Sequence, residues 1–314
     1  MRTPLPAWAC AALAACSSAS PADSGPVDDD DTAAPPDDAC PRFVSPAPRS
    51  CTLELTVDRD GDGMRPDREV HTYDTAGRLV GVLHQSATDW EGWSRCETVR
   101  RADGAPLQEW CIGSTRYLYT TTYDAATGFP VGRAYDGAWD GTVDRVWAYT
   151  TDAAGRVVAE GLDQDLDGVA DSLVARDFGA DGALLAERWD YQADGRVDYA
   201  RALTWEGGLL RAEAVDGDGD GSTDDTVTRT YDPAGNPLTV VEDEGADGAP
   251  EATTTWAYGE DCTPRSAETV DDAGRQSVQR FRWTPEGRPL RQEDDLNDDG
   301  LPEQFQEWAW SCPG

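Results

Sequence analysis

The chain has 314 residues, a formal net charge of -35 and 26 cationic against 61 acidic side chains. Every cation is Arg, which excludes Lys Schiff-base chemistry and a P-loop Lys, and the acidic balance excludes nucleic acid and polybasic docking on an anionic membrane. His71 and His84 are the only histidines, so His-rich metal sites and most His acid–base chemistry are excluded too.

Taken in chain order, Met1 and Arg2 precede a short apolar run, Leu5 to Ala15. A mature spanning helix needs about 20 apolar residues, so residues 1–15 read as a cleaved export signal. Leu13-Ala14-Ala15-Cys16 resembles the lipobox of bacterial lipoproteins. The resemblance implies cleavage before Cys16, acylation of that residue and, with Ser17 following, sorting to the outer membrane on its periplasmic or surface face. Stable anchoring takes two or more acyl chains. Residues 16–39 form the lipidated Cys and a disordered Pro/Ala/Asp tether that includes Asp28 to Asp31, because nothing there can build a core.

Six cysteines remain beyond the anchor: Cys40, Cys51, Cys96, Cys111, Cys262 and Cys312. An even number in an exported chain points to disulfides. Cys96 and Cys111 flank the turn at Asp103-Gly104 symmetrically, which predicts a bond across one hairpin; the other pairings stay open.

Residues 40–314 are a repeat domain. Asp-Gly steps fall at Asp140, Asp167, Asp194, Asp220 and Asp247, spaced 27, 27, 26 and 27, with Asp62 and Asp299 in phase. A second turn series interleaves at Gly77, Gly104, Gly128, Gly155, Gly182, Gly208, Gly235 and Gly287. The segments between are Thr- and aromatic-rich with period-2 pairs such as Trp147/Tyr149 and Trp256/Tyr258, which predicts strands. The fold expected is all-β: an antiparallel hairpin meander of about 26–27 residues per repeat and roughly 18 to 20 strands, curled into a spiral, solenoid or barrel-like shell. The aromatic columns are expected inside and an Arg/Glu/Thr face outside, with His71 and His84 as packing residues.

Tyr73-Asp74-Thr75-Ala76-Gly77-Arg78 and Tyr231-Asp232-Pro233-Ala234-Gly235-Asn236 resemble the Tyr-Asp core of Rhs/YD repeats. Thr151-Asp152-Ala153-Ala154-Gly155-Arg156 keeps all but the Tyr. The resemblance implies a curled β-shell; the cargo-enclosing role of large YD toxins does not follow, since this chain has too few repeats to enclose a cargo.

The Asp-Gly turns carry more acids than a turn needs. Asp163, Asp165, Asp167 and Asp171 occupy loop positions 1, 3, 5 and 9 with Gly168 at 6, and Asp216, Asp218, Asp220 and Asp224 repeat the pattern around Gly221. Asp295, Asn297, Asp299 and Glu303 give a variant, and Asp58, Asp60 and Asp62 a departure, with Pro66 at position 9 and Asp67 one step late. Alternating acids on a tight loop supply the hard oxygens that calcium takes. The pattern resembles EF-hand loops and, on strand flanks, the hairpin loops of integrin-type propellers, which implies structural Ca2+. Three further turns keep acids at positions 1, 5 and 9 alone: Asp136/Asp140/Asp144, Asp190/Asp194/Asp198 and Asp243/Asp247/Glu251.

The resulting expectation is a non-enzymatic, lipid-anchored envelope protein, structural or adhesive. A glycan- or protein-binding module using exposed aromatic residues is the alternative. No catalytic residue stands apart from the repeat.

Overall fold

The computed structural model describes residues 51–58, 67–85, 93–113 and 116–311. The signal segment, Cys16, the tether, Cys40, Asp60, Asp62 and Cys312 lie outside the described residues. Twenty strands run from β1 (Thr52–Asp58) to β20 (Gln304–Ser311), with no helix among the described residues. Each strand pairs antiparallel with its chain neighbours. β1 then pairs with β20 over seven consecutive partners, from Thr52↔Ser311 to Asp58↔Phe305. The meander therefore closes into a barrel, as long antiparallel sheets must curl to cover their edges. Strands of 7 or 8 residues alternate with turns, so the six acidic Asp-Gly loops 136–144, 163–171, 190–198, 216–224, 243–251 and 295–303 share one rim. Thr52 and Ser311 sit at the other, which we term the entry rim.

Two properties of the sequence build the entry rim. At all nine hairpins that turn there, the register slips by one residue next to the turn, as between Thr230 and Tyr231 opposite Pro237–Thr239. Such bulges tighten the local twist. In the Tyr-Asp turns the carboxylate of Asp74 accepts the amides of Ala76 and Arg78 while Arg78 Nε pairs with it at 2.8 Å, and Asp152 binds Ala154 and Arg156 in the same way. The fourth residue of these turns needs a left-handed backbone, supplied by Gly77 and Gly155. Cys262 fills that slot in the turn 259–263 at φ 64°, which is why the Gly series skips a beat there.

At several turns the preceding aromatic residue ties one hairpin to the last. Tyr231 Oη donates to the carbonyl of Leu210 and Tyr258 Oη to that of Pro237, both at 2.8 Å. Trp205, Trp283 and Trp310 Nε1 reach Leu184, Pro264 and Pro289 in the same manner. Arg100 takes the role once, donating to Leu79.

Cross-strand partners show which side chains share a face. Trp147 faces Leu162, Tyr149 faces Glu160, Val174 faces Trp189 and Arg176 faces Glu187; Trp189 faces Tyr199 and Glu187 faces Arg201. This face is the more covered one in β8 (Arg145–Thr151), β14 (Asp225–Tyr231) and β20, as expected for the crowded concave side. The Thr and Ala residues alternate onto the exposed side. The separation of an aromatic face from an Arg/Glu/Thr face is thus corrected. Glu187/Trp189 and Tyr199/Arg201 are two apart, so period 2 sends ion-pairing and aromatic groups inward together.

The shared face carries a ladder of alternating charge across six successive strands. Glu160 pairs with Arg176 at 3.2 Å, Arg176 with Glu187 at 2.7 Å, Glu187 with Arg201, Arg201 with Glu213 at 3.5 Å and Glu213 with Arg229 at 3.7 Å. Aromatic rings extend it: Tyr119 lies against Tyr135 and Trp147, with the Arg133 guanidinium 3.8 Å above the Tyr119 ring. The opposite face has its own pairs, Arg68–Glu54, Arg188–Asp177 and Arg291–Glu307. Charged side chains thus stand mid-strand on both faces. A lipid-facing band would put such groups in hydrocarbon at about 2–4 kcal/mol for each Arg near the midplane, so neither face suits a bilayer.

Cys96 and Cys111 face each other across β4 (Trp93–Arg100) and β5 (Pro106–Gly113) and are disulfide-bonded, as the symmetric spacing predicts. Cys51 and Cys262 each take part in a separate disulfide as well.

Candidate metal centres

Six Asp-Gly loops among the described residues share one scaffold. The position-1 carboxylate turns into its own loop and accepts the amide of the position-6 Gly: Asp136 from Gly141, Asp163 from Gly168, Asp190 from Gly195, Asp216 from Gly221, Asp243 from Gly248 and Asp295 from Gly300, all at 2.8–3.0 Å. Its other oxygen takes an amide from position 4 or 5, as Asp163 does from Leu166 at 2.6 Å. The position-9 acid accepts the amide of position 2: Asp171 from Gln164, Asp224 from Gly217 and Glu303 from Leu296, each at 2.6 Å. Position 9 also donates its own amide to the carbonyl before position 1, as Asp171 does to Leu162.

The backbone follows suit. Position 4 is left-handed in every loop, at Trp139, Leu166, Ala193, Gly219, Ala246 and Asp298, with φ between 47° and 72°. A residue with a Cβ is held there at about 1–2 kcal/mol. Gly219 is required for a second reason: a Cβ at that position would lie 2.0 Å from the carbonyl oxygen of Val197 in the adjacent loop.

Positions 1 and 9 therefore close the turn in all six loops, and position 3 adds a clustered carboxylate in two of them. It is Asp165, Asp218 and Asn297 in three loops and Ala138, Gln192 and Gly245 in the others. In the first three, ligand oxygens gather within 4.8 Å of one another: Asp163, Asp165 and Asp171; Asp216, Asp218 and Asp224; Asp295, Asp299 and Glu303. These clusters can hold a metal ion. Asp167 and Asp220 stand apart from their clusters, accepting the amides of Val169 and Ser222 at 2.8 and 2.7 Å. Asn297 Oδ1 accepts the amide of Asp299. Asp299 also accepts from Leu301 while remaining in its cluster. Of the Asp58, Asp60 and Asp62 loop, only the backbone of Asp58 is described, paired with Phe305.

Carboxylates this close repel by up to about 4 kcal/mol per pair near a protein surface, before salt screening. The loop amides offset part of this at positions 1 and 9. Position 3 is exposed in the first two clusters and accepts one longer bond, Asp165 from the Asp167 amide at 3.2 Å and Asp218 from the Asp220 amide at 3.1 Å. A divalent cation would remove the remainder.

The two histidines have a role the sequence reading missed. Glu69 accepts from both, His71 Nε2 at 2.9 Å and His84 Nδ1 at 3.2 Å, and the hydrogen bond with His71 holds the Glu69 carboxyl below its usual range. The available signal was positional: residues 69 and 71 are two apart, and 84 lies directly opposite 69. The Glu160/Glu187/Glu213 and Arg176/Arg201/Arg229 columns were likewise visible as residues near 27 apart.

No protein-family profile matches this sequence, and no curated protein does. Solved structures match at low identity. TcdB2-TccC3 is 16% identical over 77% of this chain and 15% of its own, with a TM-score of 0.35. The Photorhabdus luminescens Tc holotoxin pore is 15% identical over 78% of this chain and 14% of its own, with a TM-score of 0.35. A porin-like protein from Bacteroides uniformis is 13% identical over 83% of this chain and 97% of its own, with a TM-score of 0.37. The chain thus spans about a seventh of the Tc structures' length.

Proposed function

We propose that this chain is a non-enzymatic, lipid-anchored protein of the bacterial outer membrane, whose hairpin barrel is stiffened by calcium at the Asp-Gly rim and serves a structural or adhesive role. The observation that carries the reading is the set of three loops whose oxygens converge within 4.8 Å beside position-1 carboxylates already fixed by loop amides. Calcium fits such a site because it takes six to eight hard oxygens in flexible geometry, and an exported protein meets it at high concentration. The lipobox at Leu13 to Cys16 supplies the anchor, and charge on both faces of the sheet favours a barrel standing in water on its tether.

Calorimetric titration of the full chain with calcium tests this reading. Saturable uptake at two to four sites is the expected result. Absence of uptake would reduce the loops to hairpin turns, and mass spectrometry showing an unacylated Cys16 would remove the anchor.

A further inference from the structure

Three successive loops, 136–144, 163–171 and 190–198, raise large apolar side chains off the Asp-Gly rim. Trp139 is 41% exposed, Leu166 45%, Val169 67% and Tyr191 56%, with Val143 and Val197 beside them. The loop scaffold does not require them. Loop 216–224 has Gly217, Gly219, Ser222 and Thr223 at the corresponding positions and keeps the same hydrogen bonds. Trp139 and Leu166 moreover occupy the left-handed position 4, at φ 52° and 63°, where a bulky residue is disfavoured. Trp139 leans on Trp110, with ring centroids 5.4 Å apart, yet stays 41% exposed; an apolar side chain held strained and exposed points to a surface outside the molecule.

We infer that this arc of the rim docks on a phosphate-bearing lipid bilayer in a calcium-dependent manner. The tips are single side chains on protruding loops rather than the walls of a pocket, a shape suited to a soft surface. Trp and Tyr settle at the headgroup level of a bilayer, and Leu and Val reach the acyl chains beyond it. The carboxylates between the tips repel phosphate until a divalent cation neutralises them, after which the cation can accept a phosphate oxygen. The arc lies at the end of the barrel away from Thr52, so it is separate from the point where the N-terminal segment attaches. The inference rests on the calcium reading above.

The test is quenching of tryptophan emission in the full chain by vesicles of dibrominated phosphatidylglycerol and phosphatidylcholine, with calcium or with chelator, alongside calorimetric calcium titration of each variant. Any quenching through the N-terminal anchor is common to both arms, so the calcium-dependent part reports the rim. The expected result is quenching that appears with calcium, shrinks in Trp139→Phe and shrinks again in Tyr191→Ser while calcium uptake is unchanged. Calcium uptake without calcium-dependent quenching, or full quenching in Tyr191→Ser, would overturn the docking surface and leave the calcium sites standing. Quenching that is equal in calcium and chelator, with no uptake, would overturn both. Calcium-dependent capture of a protein partner with no vesicle quenching would also overturn the lipid assignment.

Discussion

Asp163 Oδ2 accepts the backbone amide of Gly168 at 2.9 Å, and the same bond between positions 1 and 6 recurs in all six described Asp-Gly loops. The position-1 acid is therefore part of the turn itself, while Asp165 two residues later is exposed and accepts one longer amide bond, from Asp167 at 3.2 Å.

That division predicts opposite behaviour for neighbouring substitutions. Asp163→Ala orphans the amides of Leu166 and Gly168 and should cost about 1–3 kcal/mol even in chelator. Asp165→Ala should change stability in chelator by less than about 0.5 kcal/mol yet weaken calcium uptake at its loop. Melting each variant in chelator decides the matter; equal losses would assign Asp165 to the turn as well.

The hydroxyl of Tyr231 bridges one hairpin to the previous one through the carbonyl of Leu210. Tyr231→Phe removes that bond and little else, so denaturant unfolding should show a loss of about 1 kcal/mol. An unchanged midpoint would mean that the bridge adds nothing to the stacking of hairpins.

Glu187 is 5% exposed and bonds both Arg176 and Arg201, whereas the side chain of Glu307 is 51% exposed in its pair with Arg291. Glu187→Gln leaves two covered guanidinium groups under-paired and should cost about 2–3 kcal/mol. Glu307→Gln should cost no more than about 0.5 kcal/mol, because water screens that pair. Equal effects in thermal melts would count against the inward ladder as a stabilising element.

The turn carboxylates predict an acid limb with a definite sign. Backbone and side-chain bonds from Arg78 hold Asp74 below the usual carboxylate range, and bonds from Arg156 do the same for Asp152. A depressed folded-state pKa contributes stability above the unfolded value, near 3.9, and that contribution is lost as pH falls through the folded value. Asp74→Asn combined with Asp152→Asn should therefore melt below wild type at pH 6, with the gap narrowing as pH falls below about 4. Comparing the two proteins cancels the general relief of charge repulsion on acidification. A gap that stays constant with pH would contradict the assignment.

The architecture was legible because the Asp-Gly spacing and the period-2 Thr and aromatic runs repeat with little drift, and period and alternation suffice to specify a meander. Closure was not legible. Whether β20 meets β1 depends on accumulated twist and tilt, and the single register Thr52↔Ser311 has no local sequence signal. The face of the charged residues was misjudged because composition was weighed before parity: Glu187 and Trp189 are two apart and must point the same way. At the rim, the acid pattern located the loops, but it could not separate the turn-closing role of Asp163 from the exposed position of Asp165. That separation follows from the left-handed Leu166 between them, which folds the first carboxylate back onto Gly168.

The most direct test of a calcium-stiffened barrel is thermal unfolding of the full chain in calcium and in chelator, repeated with Asp165→Ala, Asp218→Ala and Asp299→Ala combined. The account predicts a clear rise in melting temperature with calcium for the wild type, growing with calcium concentration as binding linkage requires, and a much smaller rise in the triple variant. The same melting temperature in calcium and chelator for the wild type would contradict it.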